Sequence, residues 1–306
     1  MGIAADTPRI LITGADGQLG WELQRSFASE GEIFAFDRSA MDLSSPDAIR
    51  SRCREIRPTL ILNAGAYTAV DKAESEPDMA MRINGEAPGI LAEEANKLNA
   101  VLVHYSTDYV FDGTAGSPYR ETDTTAPQNV YGRTKLAGEQ AVSTMAKRFA
   151  TFRTSWLYGN RRHNFMLTML RLAREREELR VVADQTGSPT WVRAVAEATR
   201  ECVQSGALRI EPGIYHLTAN GQTTWHGFAT AILDGTAGEP RLAQRVVAIN
   251  SGELAMPAKR PSYSVLSLSK LELALGHEMT DWQEQLRRCI AERKSIDSST
   301  GAASVA

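Results

Sequence analysis

The chain has 306 residues, 42% apolar and 23% charged, with 34 basic and 37 acidic side chains for a formal net charge of −3. That is ordinary globular composition, long enough for about two domains, and it excludes a disordered, collagen-like or disulfide-scaffold protein. A slightly acidic balance also disfavours a nucleic-acid binder that works by bulk charge. No apolar run approaches the ~18–20 residues of a bilayer span, and Met1–Arg9 carries no basic region followed by an apolar one. Cys53, Cys202 and Cys289 are odd in number and far apart, with no metal-ligand spacing. No nucleic acid, no membrane and a cytoplasmic location are therefore expected.

In chain order, Arg9–Thr13 reads as a strand buried on both faces and ended by Gly14. Trp21–Phe27 has helical character. Glu32–Phe36 is a second strand, closed by Asp37. Ser44-Ser-Pro-Asp47 reads as a helix start, with a serine cap and proline in the first turn. Thr59–Leu62 and Ala100–Ser106 are strands around a helix over Glu86–Leu98. A helix over Tyr131–Met145 is followed by a strand over Phe149–Ser155. This alternation predicts an α/β fold, a Rossmann-like doubly wound parallel sheet. It weakens after Tyr158. Phe165–Glu178 reads as one helix with Phe165, Met169, Leu172 and Leu179 near one face. The expected organisation is a dinucleotide-binding domain over 1–158, rejoined around 188–222. A smaller C-terminal substrate-binding lobe covers 159–187 and 223–295, and a flexible tail covers 296–306.

Between the first strand and the first helix lie Gly14, Gly17 and Gly20. Glycines there let the chain turn sharply and approach a pyrophosphate, and the helix N-terminus offers free amides. Asp37, twenty residues after Gly17, stands where a ribose hydroxyl acceptor is expected. It would repel a 2′-phosphate and favour NADH, while the adjacent Arg38 offsets that repulsion. Asn63-Ala-Gly-Ala66 follows the third strand and leaves room beside the cofactor. Tyr131 and Lys135 stand four apart, on one face of a helix. An ammonium near the phenol would lower its pKa and suit Tyr131 to protonate an alkoxide as hydride reaches a carbonyl. Ser106 and Thr107, followed by Asp108 and Tyr109, offer hydroxyls at a strand end.

The glycine spacing together with Tyr131 and Lys135 resembles the extended short-chain dehydrogenase/reductases, and longer phrases resemble the dTDP-4-dehydrorhamnose reductase family. They include Gly17-Gln-Leu-Gly-Trp-Glu-Leu-Gln24, Asn63-Ala-Gly-Ala-Tyr-Thr-Ala-Val-Asp-Lys-Ala-Glu74 and His104-Tyr-Ser-Thr-Asp-Tyr-Val-Phe111. Asn129 to Glu139, Phe152 to Tyr158, Asp184 to Thr190, Thr223 to His226 and Lys259 to Pro261 extend the likeness over roughly residues 9 to 290. Related 4,6-dehydratases carry Thr-Asp-Glu, whereas Tyr109 follows Thr107-Asp108 here, which fits a reductase. The resemblance implies reduction of the C4 ketone of dTDP-4-dehydro-β-L-rhamnose to dTDP-L-rhamnose with NADPH or NADH. It implies Thr107, Tyr131 and Lys135 as the catalytic set. Gly14, Gly17, Gln18, Leu19, Gly20, Asp37, Asp42, Leu43, Ala64, Gly65, Ala66, Tyr131 and Lys135 would hold the cofactor. Thr107, Asp108 and Trp156 would contact the sugar, with Asn164 and Arg260 as further candidates for the nucleotide diphosphate. Some relatives hold a dimer through glutamates around Mg²⁺. Glu22 matches one of them, but Arg193 stands past Pro189-Thr190 where another would fall, so no metal is expected. A homodimer is neither demanded nor excluded. Two other readings share these residues: a 4-ketoreductase of another nucleotide deoxysugar, and a cofactor-binding regulatory subunit like that of methionine adenosyltransferase.

Overall fold

The computed structural model describes residues 7–206 and 211–303. Six parallel strands form the central sheet: β1 (Arg9–Thr13), β2 (Glu32–Phe36), β3 (Leu60–Asn63), β4 (Val101–Thr107), β5 (Phe149–Thr154) and β6 (Gly213–His216). Their order is β6-β5-β4-β3-β1-β2. The chain reverses direction of growth at β1, which is flanked by β2 and β3, and ligands of such sheets bind outside the strand carboxyl ends at that point.

Side-chain alternation explains the two layers. Ile10, Ile12, Leu60, Leu62, Val101 and Val103 face a core shared with α1 (Gln18–Ser26) and, later in the chain, Val195 and Ala198. Leu11, Ile61 and Leu102 point the other way, onto α2 (Pro46–Ile56), α3 (Ala87–Leu98) and α4 (Val130–Met145). Both faces of the strands are thus buried, as continuous apolar runs require. α2 starts as its residues dictate: the Ser45 hydroxyl accepts from the Ala48 amide at 3.3 Å, with Pro46 in the first turn.

Past Tyr158 the chain continues with α5 (Phe165–Glu175). This helix ends three residues before the expected boundary. Leu179 belongs instead to a strand, Glu178–Val182, paired in parallel with Arg245–Ile249. α6 (Val192–Gln204) returns to the sheet, packs on α1 and leads toward β6. α7 (Trp225–Gly235), α8 (Ser269–Leu275) and α9 (Trp282–Ala303) follow. α9 runs through the first part of the expected tail, since no proline or glycine interrupts it before Gly301; residues 304–306 lie outside the described residues. Cys53, Cys202 and Cys289 are buried free thiols. Among the described residues no helix is long and apolar enough to cross a membrane.

Candidate active site

The glycine loop is built on close backbone approach. Gly14 has φ +66°, and a Cβ placed on it would lie 2.7 Å from Gly65 Cα. A Cβ on Gly20 would meet the Gly14 carbonyl oxygen at 2.0 Å, and one on Gly65 would meet Leu43 Cδ1 at 2.7 Å. Side chains are thereby excluded at the meeting of β1, β3 and α1. α1 opens at Gln18, three residues before the apolar pattern suggests, because Gly17 caps it without a side-chain hydrogen bond. The amides of its first turn have no intrahelical acceptor and lie at the positive end of the helix dipole, an arrangement suited to an anion. Leu19 and Gly20 are buried, while Gln18 is half-buried and its Oε1 accepts from Asn164 Nδ2 at 3.0 Å.

A chain of polar side chains holds the two strand ends. The Gly65 amide donates to Thr13 Oγ1 at 2.9 Å, and Thr13 Oγ1 donates to Asn63 Oδ1 at 2.7 Å. Asn63 Nδ2 lies 3.0 Å from Nδ1 of the buried His104. Ala64 and Ala66 are half-buried beside this link. At the end of β2, Asp37 Oδ1 accepts from the Ser39 amide, the Ser39 hydroxyl and the Ala40 amide, which holds its carboxyl below the usual range. Asp42 accepts from the Ser44 amide and hydroxyl at 2.9 and 2.8 Å. Arg38 is exposed.

β4 and α4 bring Thr107 and Tyr131 close enough that the threonine hydroxyl eases the phenol's pKa downward. Asn129 caps α4, its Oδ1 accepting from the Gly132 amide at 2.7 Å. Gly132 lets the helix lie against β4's exit: a Cβ there would be 2.3 Å from the Tyr109 carbonyl oxygen. Burial raises the Tyr131 phenol to about 12, with Thr107 lowering it and Asp108 raising it. The Lys135 ammonium donates to the Tyr105 carbonyl at 2.5 Å. Burial lowers Lys135 to about 8, opposed by Glu139. Tyr131 also meets Tyr109 edge-on, centroids 5.9 Å apart.

Asp108 is buried among hydroxyls. Thr107 Oγ1 donates to Oδ1 at 3.0 Å and Ser155 Oγ to Oδ2 at 3.1 Å, and Ser264 stands close enough to pull the carboxyl's pKa down. Burial outweighs these bonds and raises the carboxyl to about 6. Trp156 follows Ser155 with φ +48°, a backbone conformation costly for a bulky residue. It packs on Trp225 and over Gly187.

Two candidates have other work. Asn164 caps α5, accepting from the Leu167 amide at 3.0 Å and donating to the Gly159 carbonyl. Arg260 is forked onto Asp71 at 3.0 and 2.8 Å and faces Tyr109. Arg193 bridges Glu22 at 3.2 Å and Glu292 at 2.5 Å. Among the described residues no group of three or more His, Cys, Asp or Glu is placed to hold a metal ion. Ser264 lies in no motif, and Ser155, Asn63 and His104 stand in quoted phrases without a role of their own. Ser264 comes from 156 positions downstream of the aspartate it meets, and nothing local marks it.

Comparison with known proteins agrees with this geometry. The family model described as the RmlD substrate binding domain matches residues 8–295. A dTDP-4-dehydrorhamnose reductase of Burkholderia thailandensis is 45% identical over 293 residues, covering 93% of this chain and 98% of the relative. That of Escherichia coli K12 is 43% identical over 290 residues, covering 92% and 97%. The crystal structure of a dTDP-4-dehydrorhamnose reductase from Bacillus anthracis in complex with NADP is 38% identical and covers 94% of this chain and 99% of that one, with a TM-score of 0.88.

Proposed function

The chain belongs to the dTDP-4-dehydrorhamnose reductase family, and from that premise we propose how its own residues carry the reaction. It is an oxidoreductase that reduces the C4 ketone of dTDP-4-dehydro-β-L-rhamnose to dTDP-L-rhamnose with NADPH or NADH. The glycine loop fits a dinucleotide, since the close approach of Gly14, Gly20 and Gly65 leaves bare backbone where a pyrophosphate needs it. Gly14, Gly17, Gln18, Leu19 and Gly20 would hold the diphosphate, and Asp37, Asp42, Leu43, Ala64, Gly65 and Ala66 the adenosine side. When bound, the reduced nicotinamide supplies hydride to the carbonyl carbon.

The observation that carries the reading is the convergence at the carboxyl end of the sheet of Thr107, bonded to Asp108, with Tyr131 and Lys135 on one face of α4. Thr107 orients the C4 carbonyl. Tyr131 holds a proton at neutral pH, as its raised pKa requires, and gives it to the carbonyl oxygen as charge develops there. Lys135 stabilises the phenolate left behind and binds the nicotinamide ribose. Asp108 and Trp156 contact the sugar. Residues 159–187 and 223–295 form the lobe that receives the sugar nucleotide, with 188–222 returning to the cofactor domain.

The test is oxidation of NADPH or NADH followed by absorbance with the 4-keto sugar nucleotide. Tyr131→Phe should lower kcat by about 10²–10⁴-fold and leave cofactor affinity intact. Absence of turnover with both cofactors would overturn the reading, and full activity in the variant would remove the proton-donor role.

A further inference from the structure

α4 carries Tyr131, Lys135 and Glu139 at intervals of four, so one helix face presents all three. Lys135 and Glu139 are 2% and 1% exposed. The Lys135 ammonium donates to the Tyr105 carbonyl, a neutral acceptor that does not balance a buried charge. Around it stand Tyr131 and Glu139 on its own helix, His104 on β4 and, past Glu139, Arg153 on β5. His104 is held neutral by burial. Asp108, on the turn after β4, acts on Tyr131. Glu139 is the charged group among the described residues whose field falls on Lys135.

Glu139 is itself immobilised. Arg153 Nε reaches its Oε1 at 2.9 Å and Arg153 Nη2 its Oε2 at 2.7 Å, a two-pronged pairing. Arg153 in turn lies over the Phe111 ring, 5.0 Å from its centroid. A buried ion pair of this kind contributes little net stability and is replaceable by apolar side chains of similar volume. Stability alone therefore does not account for placing it one turn below Lys135.

We propose that Glu139, pinned by Arg153, is a positioning residue for the reduction, the counter-charge that keeps Lys135 an ammonium one helical turn from Tyr131. This rests on the roles given above to Tyr131 and Lys135. Burial already brings Lys135 down to about 8, against the pull of Glu139. Without that pull the ammonium discharges at lower pH, and activity falls on the alkaline side.

The experiment is kcat against pH for the intact enzyme and for K135M, E139Q, E139D and E139M/R153M. K135M tests the underlying reading by itself: loss of activity at every pH supports it, and retained activity overturns it together with the proposal. E139Q and E139M/R153M should move the descending alkaline limb at least about one pH unit toward acid, a tenfold loss at pH 8 relative to each variant's own plateau. E139D, which keeps the charge, should retain the wild-type limb. Because the limb is a ratio within each variant, partial loss of folded protein does not move it. A wild-type limb in E139M/R153M, or the same acid shift in E139D as in E139Q, would overturn the proposal and leave the pair a structural one.

Discussion

Trp156 lies flat on Trp225, with ring centroids 3.5 Å apart and planes 6° from parallel. The stack continues through Phe165, 4.6 Å from Trp225, and the Trp225 indole N–H donates to Gln185 at 3.2 Å. Trp156 is thus aimed by the second lobe although it hangs from the end of a sheet strand.

On its other side Trp156 touches Gly187, where a Cβ would lie 2.6 Å from Cε2 of the indole. Gly187→Ala should therefore push the ring off its stack without touching the glycine loop. We expect KM for the sugar nucleotide to rise about ten- to a hundredfold. Cofactor affinity, measured by nucleotide fluorescence, should stay unchanged.

Gly14→Ala acts at the opposite end of the site. It forces φ +66° on a residue with a Cβ and drives that Cβ into Gly65. Strain and overlap together should cost about 2 kcal/mol or more of folding stability, read as a lower urea midpoint. Dinucleotide affinity should fall with it, by at least about tenfold.

Asp108 gives a pH signature. Its folded carboxyl holds a proton up to about 6, whereas an unfolded one releases it near the ordinary value of about 4. Between those limits the folded state binds more protons, so stability falls as pH rises through the window, by about 3 kcal/mol in total. Asp108→Asn should remove that slope in denaturation measured from about pH 4 to 7. Catalysis runs the other way. Below about 6 the carboxyl loses its charge and gains an O–H donor, which weakens its hold on the Thr107 hydroxyl, and an acid limb near that pH should vanish in the variant.

The cofactor half was legible because its signals are local. β1 and β2 have the expected bounds since each is a short apolar run closed by a breaker, Gly14 or Asp37. The glycine loop and the Tyr131–Lys135 pair are recognisable from spacing. What spacing does not carry is direction. The Lys135 ammonium points to a strand carbonyl, and Tyr131 is raised because burial outweighs its neighbours. Leu179 illustrates the other loss. Its helical spacing from Leu172 is real, yet the chain leaves the helix at Arg176 to pair with Arg245–Ile249, a partner more than sixty residues away. Ser264 and Arg260 reach the site by the same kind of long return.

β6 joins the sheet only after the chain has passed through the second lobe and come back along α6, pairing Gly213–His216 with Ala150–Arg153. The glycine loop and the proposed catalytic residues Thr107, Tyr131 and Lys135 nonetheless all precede Tyr158. A chain cut there would keep those residues and lose β6, the strand that pairs with β5. β5, buried along its whole length, would become an open edge with unpaired backbone groups, an invitation to self-association. The early residues that carry the chemistry thus lean on a strand that arrives from far downstream.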